Sequence, residues 1–209
     1  MATVTIQKSE RQYDGLLKQN KMKTRIGMIV LIAAYFLVIL VMFILPFFSV
    51  PGYSIIVNTL SDLGAQSAPH GWIMNFLFVC LAAGSLMAGL EYYEGFVPHR
   101  IILVLFGISL ILLSYFNHAP LNTNIQYNVM EDGWHAYFTC TAGLSFIILS
   151  IATIFILEKQ QDRLLALTAG ISAIFLAVLM SEADRFAGIW QRLMFIISFG
   201  WLIFNFKSR

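Results

Sequence analysis

Six apolar stretches dominate this chain, at residues 26–48, 71–90, 101–116, 135–157, 164–180 and 189–206. A segment crossing hydrocarbon has to satisfy its own backbone N–H and C=O groups, and a helix of about 20 residues does so. The fold class follows: an all-α integral membrane bundle of six transmembrane helices. The third and fifth stretches are short, so their helices are expected to run on into the flanking polar residues. Composition agrees, because 59% hydrophobic and 11% charged residues leave more apolar surface than a soluble domain of this length covers.

Residues 1–25 read as a basic polar tail and 26–209 as the transmembrane domain. The first apolar run exceeds the roughly 7–15 residues of a signal-peptide core, and no small-residue cleavage site follows it, so it reads as a retained helix. Of thirteen Lys and Arg residues, eleven precede the first stretch, lie in the loops 91–100 and 158–163, or follow the last stretch. Arg185 and Arg192 belong to the other side. Positive charge stays cytoplasmic, which puts both termini inside. Cys80 and Cys140 fall within spans and read as packing residues, not as a disulfide or a metal motif. Gly84 with Ala88, and Ala169 with Ala173 and Ala177, place small residues one turn apart, the pattern that lets helices approach closely.

Most reactive side chains fall on the outer side: Ser61, Asp62, His70, His118, Glu131, Asp132, His135, Glu182, Asp184, Arg185 and Arg192. Asp132 and Glu131 precede His135 by three and four residues, which puts an acid on the imidazole's helix face. With His118 closing the third stretch and His70 opening the second, several imidazoles and carboxylates can converge, the donor types zinc takes. The metal candidates are His70, His118, His135 and Asp132, although neither HExxH nor paired CxxC accompanies them. Capping is the plainer alternative: His70 and Asp132 mark helix starts, and Ser61-Asp62 can cap a short helix beginning at Leu63. His99, beside Arg100, reads as an interfacial residue of the inner face.

Arg192 is the harder residue to place. The apolar run after it is too short to cross, so the last span must draw Arg192 below the surface. A guanidinium there has to snorkel or find a partner, and the expected partner is a carboxylate, Asp184 or Asp62 first.

The runs Leu60-Ser61-Asp62-Leu63-Gly64-Ala65 and Gly188-Ile189-Trp190-Gln191-Arg192-Leu193, with Asp132 ahead of His135, resemble a family of six-span prokaryotic membrane proteins of unknown function, domain of unknown function nine-nine-eight. The resemblance covers the chain from the first span onward. It implies a six-helix membrane fold in a prokaryotic inner membrane and no particular activity. A more distant similarity is to the alkaline ceramidase and progestin-receptor-like superfamily, seven-span hydrolases with a Ser, an Asp and three His around a metal. Ser61, Asp62, His70, His118 and His135 match those residue types; the paired HxxxH of a late helix and the seventh span are missing.

The leading expectation is a polytopic inner-membrane protein with an outward-facing polar pocket that binds a lipid headgroup or small amphiphile, its partners being membrane lipids. A metal-dependent lipid hydrolase is the alternative, and zinc enters only with it; no other cofactor is implied. A small-molecule transporter comes third, since the span interiors carry almost no ionisable groups at midplane depth. No Gly-rich phosphate loop points to a nucleotide, and topology accounts for the basic residues without nucleic acid.

Overall fold

The computed structural model describes residues 2–122 and 124–207, with side chains described from Met22 onward, Lys23 apart. Its helices are α1 (Ala2–Ile44), α2 (Leu60–Leu63), α3 (Gly71–Tyr92), α4 (Val97–Tyr115), α5 (Val129–Thr153), α6 (Gln160–Glu182) and α7 (Ala187–Lys207). Short 3-10 turns follow α1 at Leu45–Phe48 and precede α7 at Asp184–Phe186. No strand occurs among the described residues. All of these helices except α2 contribute a segment long and apolar enough to cross a membrane, six in total. The two short apolar stretches do extend, to Val97–Tyr115 and Gln160–Glu182. The basic segment is helical as well, because α1 continues through it to Ala2.

Local signals set the helix limits. Pro98 occupies the first turn of α4, where its missing N–H costs nothing. Asn128 starts α5 by accepting from the N–H groups of Met130 and Glu131, so Asp132 lies inside the helix and is not its cap. α2 begins at Leu60 and not at Leu63; its cap is Thr59, which accepts from the Asp62 N–H while the Asp62 carboxylate accepts from the Thr59 N–H. His70 precedes α3 in a left-handed conformation, φ 58°, and makes no side-chain cap bond.

The six spans form a closed ring. α1 packs on α3, α3 on α4, α4 on α5, α5 on α6, α6 on α7, and α7 returns to α1. Glycines permit the tightest of these contacts. A Cβ on Gly84 would stand 2.6 Å from the Leu31 nitrogen, and one on Gly27 2.7 Å from the Ala88 nitrogen. Hydrocarbon provides no solvent-driven force between helices, so this backbone proximity supplies the dispersion contact instead. Large apolar side chains such as Phe36, Phe155 and Phe175 face outward, at 63%, 81% and 61% exposure, as lipid contact requires.

The two ends of the ring are built differently. The end carrying both chain termini, here the terminal end, is sealed by aromatic stacking around Tyr92, Tyr93, His99 and Phe206. His99 is buried there, its ring centroid 5.2 Å from that of Tyr93, and is not an interfacial residue. The opposite, distal end carries the connections 45–70, 116–128 and 183–186, cross-linked by hydrogen bonds to one another and to the helices.

Candidate functional site

The first distal connection folds into the bundle mouth because its backbone is caught by α7. The N–H groups of Gly188 and Ile189 donate to the carbonyls of Val57 and Ile56 at 3.1 and 3.3 Å. Gly188 is obligatory for this approach, since a Cβ there would lie 2.3 Å from the Asn58 oxygen and 2.4 Å from that of Ile55. One turn on, Gln191 Oε1 accepts from the Leu60 N–H. That bond pins the start of α2 and places Ser61 above the centre of the bundle.

Arg192 completes the attachment, without any carboxylate. Its Nη1 donates to the carbonyls of Ile55, Asn58 and Gly188 at 2.9, 2.9 and 2.8 Å. Nη2 donates to the Tyr53 hydroxyl at 2.8 Å, and Nε and Nη2 both reach the Met42 carbonyl at 3.4 Å. The expected pairing with Asp184 or Asp62 is therefore overturned: the residue is 3% exposed and backbone oxygens satisfy it. The physical reason is supply, because α1 ends nearby with unpaired carbonyls carrying negative partial charge. Tyr53 is kept neutral alongside: burial pushes its phenol up to about 12 despite the nearby guanidinium, and its hydroxyl donates to the Thr59 carbonyl at 2.7 Å.

Ser61, Asp62, His118, Asp132 and His135 come together on this platform. His135, in the second turn of α5, is 4% exposed. Its Nδ1 lies 2.8 Å from the carbonyl oxygens of both Leu113 and Phe116, the carbonyls left open at the end of α4. Carbonyls only accept, so Nδ1 carries the proton. In the neutral ring Nε2 is then an acceptor, and the Ser61 hydroxyl, 3.0 Å away, donates to it. A second imidazole, His118, sits with its centroid 5.3 Å from that of His135. Its Nδ1 donates to Asp132 Oδ1 at 2.7 Å, and its Nε2 is 3.7 Å from Asp62 Oδ1. Asp132 also accepts from the Ala119 N–H at 2.8 Å.

The other candidates stand apart. His70 is exposed beside α3, and Asp184 and Arg185 are exposed in the turn before α7. No three His, Cys, Asp or Glu among the described residues are arranged to hold a metal ion. His135 spends both nitrogens on Ser61 and backbone, His118 spends Nδ1 on Asp132, and His70 lies outside the hydrogen-bonded group. The donor set His70, His118, His135 and Asp132 does not fit zinc.

Beneath Ser61 lies a cavity of about 270 Å³. Its walls are apolar: Phe78, Phe106, Leu110, Phe146, Met194 and Phe199 contribute from four helices. Ser61, Thr139, Gln191 and Ser198 also line it and bring polar side chains to these walls. The Thr139 hydroxyl is buried with no hydrogen-bond partner. Gln191, its oxygen held by Leu60, keeps an NH2 group with no partner among the described residues. The cavity opens sideways, because Cys140 and Leu144 of α5 and Ala177 of α6 both line it and are exposed on the lipid-facing surface. The cavity is thus mainly apolar, and Asp62, His118, Asp132 and His135 lie outside its lining.

A family model described as "Protein of unknown function (DUF998)" matches residues 31–205. The chain belongs to the DUF998 family. No curated protein matches it, and no solved structure does. In this DUF998 chain the two quoted runs have separate tasks: Gly188, Gln191 and Arg192 hold the connection, and the 60–65 run delivers Ser61 to His135. Thr139, Gln191 and Tyr53 were not among the sequence candidates. Thr139 could have been found from its spacing of one turn after His135; Gln191 sits in an apolar span and was visible only as part of the motif.

Proposed function

We propose that this membrane protein binds an amphiphile drawn from the bilayer, taking its chain between α5 and α6 and its polar group to Ser61, Thr139 and Gln191. The observation that carries the reading is the cavity itself, mainly apolar in its walls, with Ser61, Thr139 and Gln191 among its lining and exposed residues of α5 and α6 at its side. At about 270 Å³ it is a little below the roughly 300 Å³ at which small-ligand pockets begin, which suits one chain segment and not a whole lipid. The remainder of the molecule would stay among its neighbours outside. A transport path gains no comparable support, since the aromatic layer at the terminal end closes the ring below the cavity.

The setting proposed is a prokaryotic inner membrane with both termini cytoplasmic and the site facing outward, following the distribution of Lys and Arg. A Cys placed at Asn124 should then react with an impermeant maleimide added outside, and one at Gln160 should not; the inverse pattern reverses the orientation.

Binding is tested with a phosphatidylcholine carrying a diazirine in its acyl chain, photolysed with the protein in nanodiscs. Cross-links are expected on α5 and α7 peptides that line the cavity. Gly143 has nothing within 4 Å of its Cβ position, so Gly143→Phe projects into the cavity region without a backbone clash. It should abolish those cross-links while leaving thermal unfolding unchanged. Cross-links confined to the outer surface of the bundle would refute the reading.

A further inference from the structure

We propose that Ser61 and His135 are a nucleophile–base pair that cleaves a carboxylic ester of the bound amphiphile; this rests on the binding reading above. Three observations converge on it. First, the tautomer is the productive one. Two backbone carbonyls hold the proton on Nδ1 and turn Nε2 toward the Ser61 hydroxyl at 3.0 Å. A serine hydroxyl needs an adjacent base to become a useful nucleophile, and the base needs a third group that fixes its orientation. Here the end of α4 takes the place that a carboxylate takes in the familiar triad. The same carbonyl oxygens also stabilise the imidazolium once Nε2 is protonated.

Second, Ser61 lines the cavity, and so do Thr139, whose hydroxyl is buried with no partner among the described residues, and Gln191, whose bond to Leu60 uses its side-chain oxygen and leaves the NH2 group as a donor. Donors held in place without a partner are what a developing oxyanion requires, because they do not have to reorganise when charge appears. The Gln191 amide is fixed by the N–H of Leu60, the residue before the nucleophile. Third, the pair lies between two media. Lipid reaches the cavity from the side, and His118, its side chain 37% exposed, lies tilted beside His135 on the water-facing side.

The reaction balances with water as the only co-reactant. Ser61 Oγ bonds to the ester carbonyl carbon as its proton passes to His135 Nε2. The ester C–O bond breaks, and the departing alcohol takes that proton. Water then attacks the acyl-serine, returning a proton through Nε2 to Ser61 Oγ and releasing a carboxylic acid. Nothing is oxidised or reduced.

The test treats the intact protein in nanodiscs with an alkyl fluorophosphonate and with p-nitrophenyl octanoate, beside the diazirine phosphatidylcholine. The expected result is a phosphonyl adduct mapped by mass spectrometry to Ser61, and ester turnover that falls about 100-fold or more in Ser61→Ala and His135→Gln. A wild-type protein that cross-links lipid yet leaves Ser61 unlabelled and the ester intact overturns the catalytic pair and leaves the binding reading standing. Labelling of Ser61 without cross-linking overturns an amphiphile as the acyl donor, and failure of both removes binding and catalysis together. If either variant does not fold, the adduct site in the wild type decides alone.

Discussion

His135 at the distal end and His99 at the terminal end are nearly equally hidden, at 4% and 8% exposure, yet their surroundings are opposite. Every nitrogen of His135 has a partner, two backbone oxygens on one side and a serine on the other. Neither nitrogen of His99 has one among the described residues; the ring lies against Tyr93 and edge-on to Phe96 as a flat packing surface. Burial alone therefore says little about purpose in a membrane bundle. What separates the two rings is whether the surroundings specify a tautomer. Specification needs free backbone groups, which occur at helix ends. His135 meets the open carbonyls at the end of α4, whereas His99, in the first turn of the same helix, turns its ring away from the backbone and against Tyr93 and Phe96.

The sharpest way to break the comparison is at the residue that holds the distal end together. Arg192→Leu strips donors from five oxygen acceptors, and hydrogen bonds to a charged group contribute about 1.5–3 kcal/mol each, so a loss of at least about 3 kcal/mol is expected in detergent unfolding. Stability equal to wild type would mean that the connection is held elsewhere. Replacing the two histidines compares the ends directly. His135→Phe leaves the Ser61 hydroxyl and two carbonyls without their partner and should cost about 1–3 kcal/mol. His99→Phe removes two unpartnered nitrogens and should be neutral or stabilising by up to about 1 kcal/mol. Equal losses at both sites would erase the distinction drawn here. The smallest effect is expected at His118→Asn, whose partners Asp132 and Asp62 are linked to a half-exposed ring; less than about 1 kcal/mol should be lost.

Much of this architecture is written in the amino-acid order. The period of apolar and polar stretches yields the six spans, and the one-sided placement of Ser61, Asp62, His118, Asp132 and His135 yields the cluster, since helix ends in a small ring have little room to separate. Other features escape because their partners are backbone atoms. The oxygens around Arg192 belong to Met42, Ile55, Asn58 and Gly188, whose side chains give no hint of them, and so a carboxylate is the natural but wrong expectation. The cavity escapes for a related reason. Ala173 and Ala177 read as a packing stripe, but only Ala173 is buried, Ala177 is exposed, and both form part of the cavity wall. Whether a small residue brings helices together or keeps them apart depends on what faces it across the seam.

The Arg192 arrangement bears on how this connection can change over evolutionary time. A guanidinium that reads main-chain oxygens places no demand on the side chain at position 55, only on the path of the backbone, which the Asn58 side-chain oxygen holds by accepting from the Ser54 N–H. Substitutions at position 55 should be tolerated freely while Asn58, Gly188 and Arg192 stay fixed, and no acidic position should change in step with the arginine. A search for compensating pairs across related chains would therefore find no acidic partner for Arg192 and, among side chains, Tyr53 alone, although it is among the most extensively bonded side chains of the described residues.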